Sequence, residues 1–391
     1  MKKTVRDVDV KGKRVLLRVD FNVPLDDRGE VADDTRIRAA LPTINYLLDN
    51  GAAVIVMSHL GRPKGKVVDS LRLTPVARVL EKLLGRPVRK LDQVVGSEVE
   101  EACRNASPGE VILLENLRFE PGETENDPAF AEALARLGDI YVNDAFGAAH
   151  RAHASVEGVA RRLPAVAGFL MEKEIVFLSK LLEAPERPYA AVLGGSKISD
   201  KLRVMENLLG IVDHILLGGG MCFTFLKAKG LEIGKSLLEE DFLGEAVKIL
   251  NSDSGAKLHL PTDIVVAEEF SENAAGKVVS ADSIPGGWMG LDIGPATVEE
   301  YAQIIGGCKT IFWNGPMGVF EWENFAQGTQ KIGEAISRAE GVKVAGGGDT
   351  IAAIRKFGLE GGFTHISTGG GASMEFLEGK KLPGIEALLD A

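Results

Sequence analysis

Short apolar runs rich in β-branched residues alternate with helical stretches along the whole chain, and this alternation limits the folds open to it. Strands separated by helices form parallel sheets covered by helices. The strand candidates span residues 15–19, 53–58, 111–114, 140–142, 189–193, 214–217, 257–259, 310–313, 342–345 and 365–367. Helix candidates in the first half span residues 36–49, 74–84 and 128–137. The sequence therefore predicts an α/β protein with doubly wound, Rossmann-like parallel sheets.

The length of the chain, 391 residues, is too great for one ordinary core and suits two domains. Segment 171–183 has the apolar spacing of a helix, is closed by Pro185 and lies near the midpoint. Arginine content changes there, because 17 of the 21 arginines fall within residues 1–170. We interpret 171–185 as an interdomain helix joining domains 1–170 and 186–375. The alternative is an ordinary helix inside a single domain.

Composition excludes several classes of protein. The net charge is −11 and neither half of the chain is basic, which disfavours a nucleic-acid partner. No apolar run approaches the roughly 20 residues of a membrane span, and no signal peptide is visible. Three distant cysteines make no disulfide framework. We expect a cytoplasmic protein without a membrane partner.

Four glycine clusters in the second half each follow a predicted strand directly: LGGSK (193–197), LGGGM (217–221), AGGGDT (345–350) and STGGGAS (367–373). The carboxyl ends of parallel strands share one edge, so the clusters should form a continuous rim where main-chain N–H groups approach phosphates. Lys197 and Lys201 would share one helix face, and Asp349 beside Thr350 could hold Mg²⁺. The pattern predicts a nucleotide or polyphosphate site.

Polar runs end four predicted strands of the first half: RVDFNVP (18–24), SHLGRPKG (58–65), LLENLRFEPGE (113–123) and NDAFGAAHRAHAS (143–155). They bring Asp20, Asn22, His59, Arg62, Arg118, His150, Arg151 and His153 to one sheet edge, where Arg36 can join them. Taken singly, the histidines could be structural, and Arg118 could pair with Glu115 or Glu120. Their shared position favours a site for a small polyanion.

Standard nucleotide motifs are absent. GLEIGKS (230–236) is one residue short of a P-loop, and no G-x-G-x-x-G follows the first strand, which argues against a dinucleotide-dependent dehydrogenase. An inactive nucleotide-binding scaffold is the second alternative.

Read together, these motifs resemble those of the phosphoglycerate kinase family. RVDFNVP, SHLGRP, LLENLRF, NDAFGAAHRAHAS, LGGSKISDK, WNGPMGVFE, GGGDT and STGGGASMEFLEGK occur in the family's order over nearly the whole chain. The resemblance implies reversible phosphoryl transfer between ATP and the carboxylate of 3-phosphoglycerate, giving 1,3-bisphosphoglycerate and ADP. It also implies an N-terminal phosphoglycerate domain, a C-terminal Mg-nucleotide domain, a return of residues 376–391 to the N-terminal domain, and a monomer.

The resemblance also implies roles for individual residues. Those implied for phosphoglycerate binding are Asp20, Phe21, Asn22, Arg36, His59, Leu60, Gly61, Arg62, Arg118 and Arg151. Those implied for the nucleotide are Lys197, Lys201, Glu321, Gly347, Gly348, Asp349 and Thr350, with Asp349 also binding Mg²⁺. Arg36, Lys197, Gly370 and Gly371 would stabilise the phosphoryl group in transfer. Because the ligands would bind different domains, we expect hinge closure.

Overall fold

The computed structural model describes residues 1–391, whose contacts divide them into two compact units. The first unit comprises Met1–Val176 and Lys381–Ala391, and the second comprises Phe177–Lys380. The division falls inside helix α6 (Phe169–Glu183), which covers residues 171–183 of the predicted interdomain helix 171–185.

The elements follow one another in α/β order. The strands are β1 (Arg14–Arg18), β2 (Ala53–Met57), β3 (Val88–Lys90), β4 (Val111–Leu113), β5 (Ile140–Asn143), β6 (Ala165–Ala167), β7 (Tyr189–Leu193), β8 (His214–Leu217), β9 (Leu258–His259), β10 (Asp263–Ala267), β11 (Lys277–Ser280), β12 (Met289–Ile293), β13 (Thr310–Asn314), β14 (Val342–Ala345) and β15 (His365–Ile366). Besides α6, the α-helices are α1 (Thr35–Asp49), α2 (Thr74–Leu84), α3 (Ser97–Arg104), α4 (Pro121–Thr124), α5 (Pro128–Ala135), α7 (Leu202–Leu209), α8 (Cys222–Ala228), α9 (Leu243–Leu250), α10 (Pro295–Gly307), α11 (Gln327–Arg338), α12 (Gly348–Lys356), α13 (Gly371–Leu377) and α14 (Pro383–Glu386).

A parallel sheet of order β3-β4-β2-β1-β5-β6 forms the centre of the first unit. Every residue of β2 is buried, as expected for an apolar strand covered on both faces. Helix α2 buries Val76 and Leu80 and ends at Gly85, whose φ of 63° is a conformation that glycine adopts without strain. Because all six strands of the sheet are parallel, their carboxyl ends lie along one edge.

The last residues of the chain complete the first unit. Gly384 N donates to Ala149 O (2.8 Å), and Leu389 N donates to Ala165 O (3.0 Å) beside the edge strand β6. The Lys2 ammonium lies 2.8 Å from the Asp390 carboxylate, so the two ends of the chain meet. Residues 381–391 are thus an integral part of this unit.

The second unit is built on a parallel sheet of order β15-β14-β13-β7-β8-β9. The predicted α/β fold class is confirmed, and each of the ten predicted strands is present. Five strands were not predicted: β3, β6 and the antiparallel sheet β11-β10-β12. Strands β3 and β6 have only three residues each and β11 is almost wholly exposed, so these three give a weak signal. Strand β10 is an apolar run that the prediction overlooked.

Candidate active site

The polar loops after β1, β2 and β4 are tied together at the carboxyl edge of the first sheet. Arg36 Nη1 lies 3.1 Å from both carboxylate oxygens of Asp20 and 3.1 Å from Asn22 O. Asn22 Oδ1 accepts the N–H of Gly61 (2.9 Å), and Arg118 Nη1 donates to Gly61 O (2.8 Å). Residues from three separate sequence motifs therefore meet, together with Arg36, as the strand-edge argument predicts.

Arg36 pairs with Asp20, but Arg62, Arg118 and Arg151 of this edge have no carboxylate partner. Arg118 is 8 % exposed and its Nε has no hydrogen-bond partner. Arg62 is exposed and unpaired, while Arg151 Nε donates only to His150 Nε2 (3.2 Å). Burial, followed by the charge of Arg151, lowers the pKa of Arg118 to about 10, so Arg118 stays protonated at neutral pH. Uncompensated guanidinium groups of this kind bind anions.

The alternative that Arg118 forms an ion pair with Glu115 or Glu120 is wrong. Glu115 is buried and pairs instead with Arg72 (3.1 Å) and Lys90 (2.5 Å), and Glu120 pairs with no cation.

His59 and His153 contribute hydrogen-bonding capacity without charge. Burial, and next the charge of Arg18, keeps the pKa of His59 well below its usual 6.5. Burial, and next the charge of Arg118, lowers the pKa of His153 to about 4. At neutral pH, His59 and His153 therefore add no positive charge to that of the arginines.

The side chains of two predicted binding residues are not exposed at this edge. The side chains of Phe21 and Leu60 are buried in the hydrophobic core, and Phe21 N donates to Ser58 Oγ (2.9 Å). The sequence analysis missed Arg18, which is fully buried, and Asn116, which bonds the loop after β2. The only signal for Arg18 was its place at the end of an apolar strand, directly before the Asp20 motif.

In the second unit, the chain reverses its direction of winding between β7 and β13, and the glycine loops meet at this point. Gly194 N donates to Asn314 O (3.0 Å), Gly195 N to Pro316 O (2.9 Å) and Gly219 N to Met317 O (2.8 Å). A Cβ on Gly194 would lie 2.0 Å from Pro316 O. The first two clusters thus need glycine for packing of backbone on backbone, and these N–H groups are not free for phosphate, contrary to the expectation from sequence.

A cavity of about 100 Å³ brings together Lys197, Lys201, Gly347, Gly348, Asp349 and Thr350. Lys201 Nζ donates to Asn314 Oδ1, and burial lowers the pKa of Lys201. Gly315 N donates to Thr350 Oγ1 (2.7 Å), which fixes the start of α12. The residues from the first and third glycine clusters therefore form one small polar site.

A neighbouring cavity of about 530 Å³ shares Gly195 and Asp349 with the small one. Its apolar lining includes Phe223, Leu237, Phe270 and Met289, and Glu321 also lines it. The unpredicted antiparallel sheet supplies one wall through Ile264 and residues 289–293. An apolar cavity beside a polar one that contains two lysines is suited to a nucleoside and its phosphates.

Gly370 and Gly371 line neither cavity. They begin α13, which reaches the rim through Met374 Sδ, 3.1 Å from Asn314 Nδ2. The chain holds no cluster of three His, Cys, Asp or Glu side chains that could bind a metal. Exposed Asp349, in the first turn of α12, offers one carboxylate, which suits Mg²⁺ because this ion takes most of its ligands from phosphate and water.

Comparison with known proteins gives a consistent result. The family model described as phosphoglycerate kinase matches residues 5–380. A phosphoglycerate kinase of Moorella thermoacetica is 59 % identical over 391 residues, which cover 100 % of this chain and 99 % of that protein. Among solved structures, phosphoglycerate kinase from Coxiella burnetii has a TM-score of 0.92 and 43 % identity, covering 99 % of this chain and 98 % of that one. The Pyrococcus horikoshii enzyme has a TM-score of 0.84 and 36 % identity at the same coverage.

Proposed function

The chain belongs to the phosphoglycerate kinase family, and from this premise we propose that its first unit binds the phosphoglycerate and its second unit the nucleotide. The reaction is reversible transfer of a phosphoryl group between ATP and the carboxylate of 3-phosphoglycerate, a step of glycolysis that gives 1,3-bisphosphoglycerate and ADP.

One observation carries the assignment of the nucleotide to the second unit. Lys197, Lys201 and Asp349 line a cavity of phosphate size, and this cavity adjoins an apolar cavity large enough for a nucleoside. Glu321, which lines the larger cavity, would accept hydrogen bonds from the ribose hydroxyls. The uncompensated Arg62, Arg118 and Arg151 would bind the phosphate of phosphoglycerate, with Asp20 and Asn22 holding its hydroxyl and carboxylate end.

The chemistry needs no general base. A carboxylate oxygen of 3-phosphoglycerate attacks the γ-phosphorus, the bond from that phosphorus to the β,γ-bridging oxygen breaks, and ADP leaves with the electron pair. No proton moves, so catalysis consists of in-line positioning and neutralisation of charge on the transferring group. Arg36 and Lys197 would supply that charge, and main-chain N–H groups at Gly370 and Gly371 would bind the phosphoryl oxygens.

Asp349 would hold Mg²⁺, which on binding neutralises the nucleotide phosphates. Lys201 would contact the same phosphates, and Gly347, Gly348 and Thr350 would bind them through the start of α12. Thr350 is already oriented by its bond to Gly315 N.

We further propose hinge closure through α6, which would bring the two ligands together and exclude water from the acyl phosphate. Monomeric state and cytoplasmic location are parts of the same proposal. No helix combines the length and the apolar composition needed to cross a membrane.

A coupled assay with ATP, Mg²⁺ and 3-phosphoglycerate tests the activity, and calorimetric titration of each ligand against each binding-site variant tests the division between units. We expect variants of Arg62 to lose phosphoglycerate affinity and variants of Lys201 to lose nucleotide affinity. Loss of both affinities in either variant would contradict the division.

A further inference from the structure

We propose that Asn116 is a positioning residue for phosphoglycerate binding, whose side-chain amide fixes loop 59–62 and Arg118 in their binding arrangement. The inference rests on the proposed function, in which phosphoglycerate binds at the carboxyl edge of the first sheet.

The Asn116 amide uses its full hydrogen-bonding capacity. Its Oδ1 accepts the N–H of Leu60 (3.1 Å) and the N–H of Arg118 (3.1 Å). Its Nδ2 donates to Leu60 O (2.8 Å) and Leu71 O (2.9 Å). A primary amide has two donor hydrogens and two acceptor lone pairs, so nothing is left unsatisfied at this fully buried position. The four partners also fix the orientation of the amide, because the reverse orientation would set donor against donor.

Two of these bonds go to the N–H and C=O of the same residue, Leu60. In a sheet, a neighbouring strand would pair with both of these backbone groups. Here the Asn116 side chain pairs with them, in a loop beyond the end of β2. Leu60 lies between His59 and Gly61, so its backbone sets where both of these residues and the following Arg62 lie.

The remaining bond to the Asn116 oxygen couples this loop to the arginine. Arg118 N binds Asn116 Oδ1, and Arg118 Nη1 binds Gly61 O (2.8 Å). Asn116, Leu60, Gly61 and Arg118 therefore form a closed ring of contacts around the loop. Removing the Asn116 amide would break its bonds to Leu60 and to the N–H of Arg118 together, and so open the ring.

Glu115 holds the backbone of Asn116 independently of the binding residues. Glu115 Oε1 accepts the N–H of Asn116 (2.9 Å) and of Leu73 (2.9 Å), and its carboxylate pairs with Lys90 and Arg72. A change confined to the Asn116 side chain should therefore disturb the loop and Arg118 while leaving the anchor of the β4 loop in place.

Two substitutions separate the geometric effect from charge. Asn116→Asp keeps the shape but replaces two donors with an oxygen that faces the carbonyls of Leu60 and Leu71. Asn116→Leu removes all four bonds without adding charge. We expect each variant to raise KM for 3-phosphoglycerate at least about tenfold, since several buried groups lose their partners, and to leave KM for ATP within about twofold. Val99→Ala, a core truncation in α3 of the same unit, is the control for lost stability and should change neither KM.

An increase in both KM values to the same extent would reduce Asn116 to a general structural role and overturn the proposal. An increase in Asn116→Asp alone would assign the effect to charge and also overturn it. An increase in KM for ATP alone would overturn the assignment of ligands to units, and the proposal with it.

Hydrogen exchange of the ligand-free wild-type protein tests the geometry without a variant and without the ligand assignment. The amides of Leu60 and Arg118 should exchange as slowly as those of β2, although they lie outside the strands. Fast exchange at both would overturn the role of Asn116 and leave the proposed function intact, even if the variants do not fold.

Discussion

The guanidinium of Arg18 lies 3.1 Å from Nδ1 of His59, and because arginine can only donate hydrogen bonds, Nδ1 must accept. The proton of the neutral imidazole is then on Nε2. His59 faces the positive charges of Arg18, Arg118 and Arg151, together with His153, and burial reinforces their effect on its pKa. The proposed phosphoglycerate site thus contains a neutral histidine with one fixed tautomer.

We expect His59 to stay neutral from pH 6.5 to pH 8, because its pKa lies well below 6.5. Long-range ¹H–¹⁵N NMR spectra of the histidine rings should show His59 with unprotonated Nδ1 and protonated Nε2 throughout that range. The histidines of the unfolded protein should titrate near pH 6.5. Because the pKa of His153 is lowered to about 4, unfolding takes up protons below pH 6.5. The contribution of His153 to stability should accordingly be complete above pH 6.5 and fall as the pH decreases toward 4.

Lys197→Ala should lower kcat about 10²–10³-fold, the loss of about 3–4 kcal/mol typical of a preorganised charge that stabilises a transition state. Lys197 is exposed and makes no ion pair, so its removal should not destabilise the fold. Nucleotide affinity, measured by calorimetry, should change much less than kcat. Near-normal turnover would remove Lys197 from the proposed mechanism.

Arg62→Ala should raise KM for 3-phosphoglycerate about 10- to 100-fold, which corresponds to the loss of a charged hydrogen bond worth about 1.5–3 kcal/mol. KM for ATP should not change. Arg62→Lys is the matched control, since it keeps the charge but loses the planar fork, and it should recover only part of the affinity.

Asp349→Asn should raise the Mg²⁺ concentration needed for half-maximal activity, because it removes the carboxylate that we propose as the metal ligand and leaves Asp200 as the other carboxylate of the polar cavity. Asp282→Asn changes an exposed carboxylate of the same unit outside both nucleotide cavities and should leave the Mg²⁺ requirement unaltered. Equal Mg²⁺ dependence in the two variants would exclude Asp349 as the ligand.

Hinge closure predicts a decrease in the radius of gyration when both substrates are present. Small-angle X-ray scattering of the free protein, of each single complex and of the complex with Mg-ADP and 3-phosphoglycerate measures this directly. A radius that stays the same in all four samples would contradict closure.

The general plan of the fold could be predicted from the sequence because buried parallel strands are continuous apolar runs. The antiparallel sheet could not, since β12 contains a glycine and an aspartate, and its Asp292 is buried and bound by Gly328 N (2.7 Å) rather than exposed. Phe270 and Met289 line the proposed nucleotide cavity because the antiparallel sheet forms one of its walls. These two residues were therefore not predicted, because the prediction relied on glycine clusters and charged residues.

The supporting residues of the anion site were beyond prediction for a different reason. Asn116 bonds a residue 56 positions away, and Arg18 bonds Ser155 across 137 positions. A motif shows which residues lie at a strand end, but the partners of a buried amide or guanidinium depend on tertiary structure. The glycines show the same limit, since their backbone contacts depend on strands that are distant in the sequence.

The position of residues 381–391 has a consequence for how the chain is made. Synthesis proceeds from the amino end, and domains generally fold as they emerge from the ribosome. The second unit is complete once residue 380 has emerged, whereas the first unit still lacks the segment that pairs Gly384 with Ala149 and Asp390 with Lys2. The part of the protein that is translated first is therefore the last to be completed.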